Sequence, residues 1–231
     1  MQLYLIRHAQ STNNALSDPS GRVCDPPLTE LGRQQSQMLA HYLANGVERV
    51  PGFNGNGLRP TRLLCSPMQR ALETAWPAAG VLGLAPEVWV ELHEYGGIYL
   101  DHGDPVGIVG YPGKTRSEIL AEFPGCVVPE SITDKGWWRG GREDREACDR
   151  RAGLVASVLC HWADRDERVA LISHGDLLDA LIKALLGTPC DRQRRYSHHN
   201  TGISRIELRP DGQTRVYYLN RLDHLPPDLI S

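Results

Sequence analysis

Two histidines, two arginines and a glutamate each fall where a short apolar run ends or a helix begins. Arg7-His8 ends the run 3–6, Arg70 follows Ser66-Pro67, Glu94 closes Glu91-Leu92-His93-Glu94, and His174-Gly175 follows Arg168–Ser173. An imidazole that is unprotonated near neutrality is a nucleophile, and nearby guanidinium groups keep it so by disfavouring its cation. His8 or His174 can therefore attack phosphorus while Arg7 and Arg70 neutralise the phosphoryl oxygens. Glu94 is the carboxyl best placed to protonate a leaving oxygen. Backbone NH groups at the helix starts after Ser66 and His174 offer an anion further donors.

Such a site needs no metal or other cofactor. Two arginines supply the charge neutralisation that Mg2+ gives in nucleotide-handling enzymes, and no carboxylate cluster accompanies them. His93-Glu94 is not a zinc motif, because HExxH would need a histidine where Gly97 stands. His198-His199-Asn200 is no better as a metal site, since neighbours on an extended segment point opposite ways; a supporting loop role is expected.

The elements that must position these groups alternate. Residues 3–6, Arg62–Cys65, 87–90 and Arg168–Ser173 read as strands. Helices are expected over 31–43, 68–79, 143–162 and 176–186. Thr29 caps the first and Asn45-Gly46 closes it; Ser66 caps the second with Pro67 in its first turn, and Gly187 ends the last. Ile203–Leu208 and 214–220, parted by Pro210-Asp211-Gly212, form a hairpin. This alternation predicts an α/β three-layer sandwich with a mostly parallel central sheet flanked by helices, whose ligand sits beyond the carboxyl ends of the strands. One domain over 1–231 is expected, with 95–141, rich in glycine and aromatics, as an inserted lid. Within it 115–122 is the one helix candidate, and Trp137-Trp138 pack the lid down.

Bulk properties narrow the partners. A net charge of -3 over 231 residues argues against a nucleic-acid binder held by counterion release. No apolar stretch approaches membrane-spanning length, and the opening MQLYLIRHAQ lacks a basic segment followed by a long apolar one, so a soluble, cytoplasmic protein is expected. Six cysteines without a CxxC pair read as buried, reduced thiols. Apart from Lys114, Lys135 and Lys183 the cations are arginines, whose planar fork suits phosphate or carboxylate.

At the level of motifs the chain resembles the histidine phosphatase superfamily (phosphoglycerate mutase-like, branch 1). Residues 5–14, LIRHAQSTNN, are similar to Arg-His-Gly-Glu-Ser-x-x-Asn, with Ala9, Gln10 and Asn13 as departures. Residues 66–75, SPMQRALETA, resemble Ser-x-x-x-Arg-Ala-x-x-Thr-Ala; 25–32, DPPLTELG, resemble Pro-Leu-Thr-x-x-Gly; 92–97, LHEYGG, resemble the acid loop, and Ser173-His174-Gly175 the second catalytic histidine. The resemblance implies His8 as the phosphorylated nucleophile, Arg7, Arg70, His174, Gly175 and Asn14 around the phosphate, and Glu94 as proton donor, acting on a small phosphorylated metabolite. Mutase members carry Glu-Arg-His-Tyr-Gly in the acid loop and an Arg-Arg pair in the insertion. Here the loop reads Glu94-Tyr95-Gly96-Gly97 and the insertion offers Lys114, Arg116, Arg139 and Arg142, so a metal-independent phosphatase is expected over a mutase. A non-catalytic phospholigand-binding module is disfavoured, because a decayed site should have lost one of the five chemical groups.

Overall fold

The apolar run at the amino end does not alternate because its strand is covered on both faces. In the computed structural model, which describes residues 1–45, 58–191 and 193–231, Leu3 and Leu5 of strand β1 (Gln2–Arg7) point into one core and Tyr4 and Ile6 into another. The chain continues through α1 (Thr12–Ala15), α2 (Glu30–Asn45), β2 (Arg62–Cys65), α3 (Gln69–Leu82) and β3 (Pro86–Val88). A second stretch carries β4 (Tyr99–Asp101), β5 (Ile108–Gly110) and α4 (Arg116–Glu122). Then come α5 (Arg145–His161), β6 (Arg168–Ser173), α6 (Gly175–Leu186), β7 (Ile203–Leu208) and β8 (Thr214–Arg221).

The main sheet has the order β3-β2-β6-β1-β7-β8. The first four are parallel neighbours, and the terminal hairpin adds two antiparallel strands. Helices α2 and α3 bury their apolar faces on one side with Tyr4, Ile6, Ala170 and Ile172; α5 and α6 bury theirs on the other with Leu3, Leu5, Val169 and Leu171. This is the α/β three-layer arrangement with a mostly parallel sheet. It brings the carboxyl ends of β1 and β6 side by side, with Arg7 paired to Ser173 in register.

Several boundaries differ from the sequence reading. Helix α3 begins at Gln69, so Pro67 lies ahead of it and Met68 is the capping position. The Ser66 hydroxyl accepts from the Met68 NH at 3.3 Å but is also engaged by His174 at 2.7 Å. The helix runs to Leu82 and ends on Gly83 in the left-handed region, φ 67°. The third strand stops at Val88, and Val90–Leu92 forms a single 3-10 turn. Helix α5 starts at Arg145, with the Asp144 carboxylate accepting from the Ala147 NH at 2.7 Å. The Asn45-Gly46 closure falls partly outside the described residues. Cys65, Cys126 and Cys148 are buried as expected, but Cys160 and Cys190 are exposed.

Residues 95–141 contain a hairpin, β4 with β5, whose three-residue strands are too short to leave a periodic signature. Thr115 and Glu118 form a capping box at α4. Ile98, Ile119, Phe123, Ile132 and Trp137 join the same core as α2 and α3. Val127 runs beside β3, exchanging backbone hydrogen bonds with Pro86 and Val88 at 2.9 Å, which covers that edge of the sheet. Among the described residues no helix is long and apolar enough to cross a membrane.

Helix α2 is docked by close backbone approach. A Cβ on Gly32 would stand 2.1 Å from the Gln10 carbonyl oxygen, two residues beyond His8. Gly32→Ala is therefore expected to push α2 off this loop and destabilise the fold by roughly 3 kcal/mol, read as a lowered denaturation midpoint.

Candidate active site

His8 leaves the end of β1 with its backbone NH donating to the Ser173 carbonyl at 2.8 Å, which locks the residue to β6. Its ring is buried, and Nδ1 lies 2.7 Å from the Ala9 carbonyl oxygen. A carbonyl only accepts, so the proton belongs on Nδ1 and the lone pair on Nε2. That lone pair receives the Arg70 Nε–H at 3.1 Å. Burial, then Arg70, then Arg7, hold the imidazole well below its usual pKa. The sequence reading credited the arginines; burial contributes more.

Arg70 sits in the first turn of α3, where a cation opposes the helix dipole. Asp25 compensates. Its carboxylate accepts from the Gln69 NH at 3.0 Å and lies 3.9 Å from the Arg70 guanidinium, and burial lifts its pKa to about 6. Arg7 donates to the His198 carbonyl at 2.7 Å, while its buried Nε has no hydrogen-bond partner among the described residues. Gly175 packs against it: an added Cβ would come 3.7 Å from Arg7 Nε. His174 caps α6, its ring 5.0 Å from that of His8 and its Nε2 2.7 Å from Ser66 Oγ.

Glu94 is half-buried at the start of α6. One carboxylate oxygen accepts from the Tyr95 NH at 2.8 Å and the Leu177 NH at 3.2 Å, the other from the Asp176 NH at 3.4 Å. Burial, and then the Asp176 charge, raise its pKa above the ordinary glutamate value. This corrects one expectation. The amides of Asp176 and Leu177 are taken by Glu94, and that of Gln69 by Asp25, so side-chain carboxylates occupy helix-start donors that the sequence reading offered to phosphate. The physical reason is the same in both cases: an orphan NH attracts the nearest anion, and the chain supplies one.

A crevice of about 970 Å³ opens over this cluster. Arg7, His8, Asn14, Arg70 and Glu94 border it, whereas His174 and Gly175, expected at the phosphate, are not in its lining and instead adjoin His8 and Arg7 respectively. The Asn14 amide oxygen is committed to the Ser11 NH at 3.1 Å and hydroxyl at 3.0 Å, which leaves its NH2 end for an anion. Of Lys114, Arg116, Arg139 and Arg142, Arg142 alone borders the crevice among the described residues, just past the insertion and beside Tyr95 and Tyr99. Arg116 instead holds the Val128 carbonyl at 2.6 Å, and Lys114 pairs with Glu122.

Some supporting residues carried no clear sequence signal. Arg22 borders the crevice from a loop that Asn13 ties down by two bonds to the Val23 backbone, at 2.8 and 3.1 Å. Asn200 donates to the His8 carbonyl at 2.9 Å, and Thr74 receives the Ala9 NH at 3.0 Å. Gln10, which replaces the family's glutamate, accepts from the Thr29 hydroxyl at 2.7 Å. His198 Nε2 meets Ser204 Oγ at 2.6 Å and Trp137-Trp138 flank His93 at 5.4 and 5.0 Å, so both motifs pack and support.

The family model described as "Histidine phosphatase superfamily (branch 1)" matches residues 3–221. The chain belongs to the histidine phosphatase superfamily. A similar superfamily relative is the "Probable phosphoglycerate mutase GpmB" of Photorhabdus laumondii, 28% identical over 90% of this chain and 85% of that protein. Another is a "Glucosyl-3-phosphoglycerate phosphatase" of Mycolicibacterium vanbaalenii, 30% identical over 82% of this chain and 76% of that protein. The same histidine phosphatase fold is seen in a phosphoserine phosphatase from Entamoeba histolytica, with TM-score 0.62, 20% identity, and coverage of 97% of this chain and 99% of that one. A mycobacterial glucosyl-3-phosphoglycerate phosphatase superposes with TM-score 0.60 and 24% identity, covering 96% of this chain and 99% of that one.

Outside the crevice lining, Glu143 is ion-paired to Arg151 at 2.6 Å and lies 3.7 Å from His93 Nε2. Burial would raise its pKa, but His93 and Arg151 outweigh it and bring the value down to about 2. A carboxylate with a depressed folded pKa stabilises the fold above its unfolded pKa and loses that contribution as pH falls. Folding stability is expected to decline from roughly pH 4.5 towards pH 2. The part of that decline due to Glu143 should be missing in Glu143→Gln, measured by denaturant titration across this range.

Proposed function

We propose that the protein is a metal-independent phosphatase of small phosphate monoesters that works through a phosphohistidine on His8. The observation that carries this reading is the imidazole itself: Nδ1 is committed to Ala9, so a neutral Nε2 lone pair is held at the crevice between two arginines. In the first step the Arg70 N–H passes from Nε2 to a phosphoryl oxygen, the freed Nε2 lone pair bonds to phosphorus, and the ester P–O bond breaks. The leaving oxygen takes the Glu94 proton while Arg7, Arg70 and the Asn14 NH2 hold the phosphoryl oxygens. Water then attacks phosphorus, the P–N bond breaks with its electron pair returning to Nε2, Glu94 recovers its proton from that water, and inorganic phosphate leaves.

Beyond the phosphoryl end, Arg22 and Arg142 border the crevice and, among the described residues, stand in no ion pair. They suit a leaving alcohol that carries an acidic group, in keeping with a small phosphorylated metabolite. Phosphoglycerate mutase chemistry is the second reading, favoured by relatives of that printed name; it requires the acceptor to be a retained phosphoglycerate. The acid loop Glu94-Tyr95-Gly96-Gly97 lacks the mutase members' Arg-His, which supports water as the acceptor. Rapid isomerisation of phosphoglycerate primed by the bisphosphate, without phosphate release, would overturn the phosphatase reading.

His8→Ala is expected to lose about four orders of magnitude in kcat or more. The wild-type protein quenched in turnover should carry a phosphoryl group that is labile in acid and stable in base, and the variant should carry none. Because Glu94 must be protonated, kcat/KM should fall as pH rises through its elevated pKa, and Glu94→Gln should remove that limb. Arg22→Gln with Arg142→Gln should raise KM about tenfold or more for carboxylate-bearing esters while sparing uncharged ones, read from steady-state kinetics on the two ester classes.

A further inference from the structure

A buried arginine on α5 touches neither the crevice nor the Glu94 carboxylate, yet it grips the backbone on which Glu94 is mounted. Arg151 Nη1 donates to the carbonyl oxygens of Glu91 at 2.7 Å and His93 at 2.8 Å. Ser173 Oγ donates to the carbonyl between them, Leu92, at 2.8 Å. The carbonyls at the end of a single 3-10 turn have no partner inside the turn, so these side chains satisfy them one after another.

The other edge of the Arg151 guanidinium makes a bidentate pair with Glu143, at 2.9 and 2.6 Å. The Glu143 NH in turn donates to the Gly96 carbonyl at 3.1 Å. Backbone groups are thus held on both sides of Glu94, at 91, 92 and 93 before it and at 96 after it. Burying an ion pair rarely stabilises a protein more than apolar packing of the same volume would, whereas its fixed geometry can orient what it touches.

We infer that Arg151 and Glu143 are positioning residues for proton donation: together they fix the acid loop so that Glu94 meets the leaving oxygen. The inference rests on the phosphatase reading above, in which Glu94 is the donor. A donor displaced by about an ångström loses most of its effect, while phosphate binding by Arg7, Arg70 and His8, mounted on other elements, is left intact. Misplacement should therefore show in one dependence only, that of rate on the leaving group. An aryl phosphate expels a phenolate that needs little protonation; an alkyl phosphate cannot leave without a proton.

The test measures kcat/KM for 4-nitrophenyl phosphate, phenyl phosphate and glycerol 2-phosphate. The double variant Arg151→Met/Glu143→Gln leaves no lone buried charge, and Arg151→Lys keeps the charge but cannot serve the carboxylate and both carbonyls together. The double variant is expected to lose about a hundredfold on glycerol 2-phosphate and less than about threefold on 4-nitrophenyl phosphate. Arg151→Lys should fall between it and wild type, and it carries the test if the double variant does not fold. Equal losses on all three esters, or no loss on the alkyl ester, would overturn the inference by making the pair a structural tie alone. Glu94→Gln, run alongside, separates the two levels: a flat leaving-group dependence there sinks the donor reading itself, whereas a steep one with flat Arg151 variants sinks only the positioning role.

Discussion

The hydrogen bond from His8 Nδ1 to the carbonyl of the next residue governs much of what surrounds it. It fixes the tautomer, turns the ring so that Nε2 faces the crevice, and demands that the Ala9 carbonyl be held still. The backbone on either side is pinned accordingly: Ser173 accepts from the His8 NH, Asn200 donates to the His8 carbonyl and Thr74 receives the Ala9 NH. Burial then keeps the imidazole neutral more effectively than the arginines alone would.

Concentrating cations around that ring raises a second demand, because a buried guanidinium group, Arg70, and a partly buried one, Arg7, repel each other and the positive helix starts. The fold meets it with carboxylates rather than with empty anion sites. Asp25 sits at the start of α3 beside Arg70, and Glu94 at the start of α6. Both have raised pKa values because burial outweighs the nearby positive charge. A carboxyl held in this balance is suited to trade its proton, the task proposed for Glu94. Glu143 is the opposite case: paired with Arg151, its carboxylate is held low, which suits the positioning role proposed for the pair and not proton transfer.

The sheet explains why these groups meet. Parallel neighbours β2, β6 and β1 end at one side, so the residues that follow them share a rim although they are far apart in sequence. The loop that leads from α6 into β7 contributes as well, through the His198 carbonyl on Arg7 and the Asn200 amide on His8.

Read by itself, the sequence determined the alternation of strands and helices, the order of the motifs, and the placing of Arg7, His8, Arg70, Glu94 and His174 at or soon after the ends of strands. Local periodicity and residue chemistry encode those features directly. It could not determine which partner each group would find. The short strands β4 and β5 leave no period to read, and the capture of helix-start amides by Asp25 and Glu94 depends on contacts between residues 44 and 82 positions apart. Arg142's place at the crevice and Arg116's withdrawal from it, alike in sequence, were decided only by tertiary packing. The reason is physical: hydrogen bonds and burial belong to pairs of surfaces, and those pairs exist only once the chain has folded back on itself.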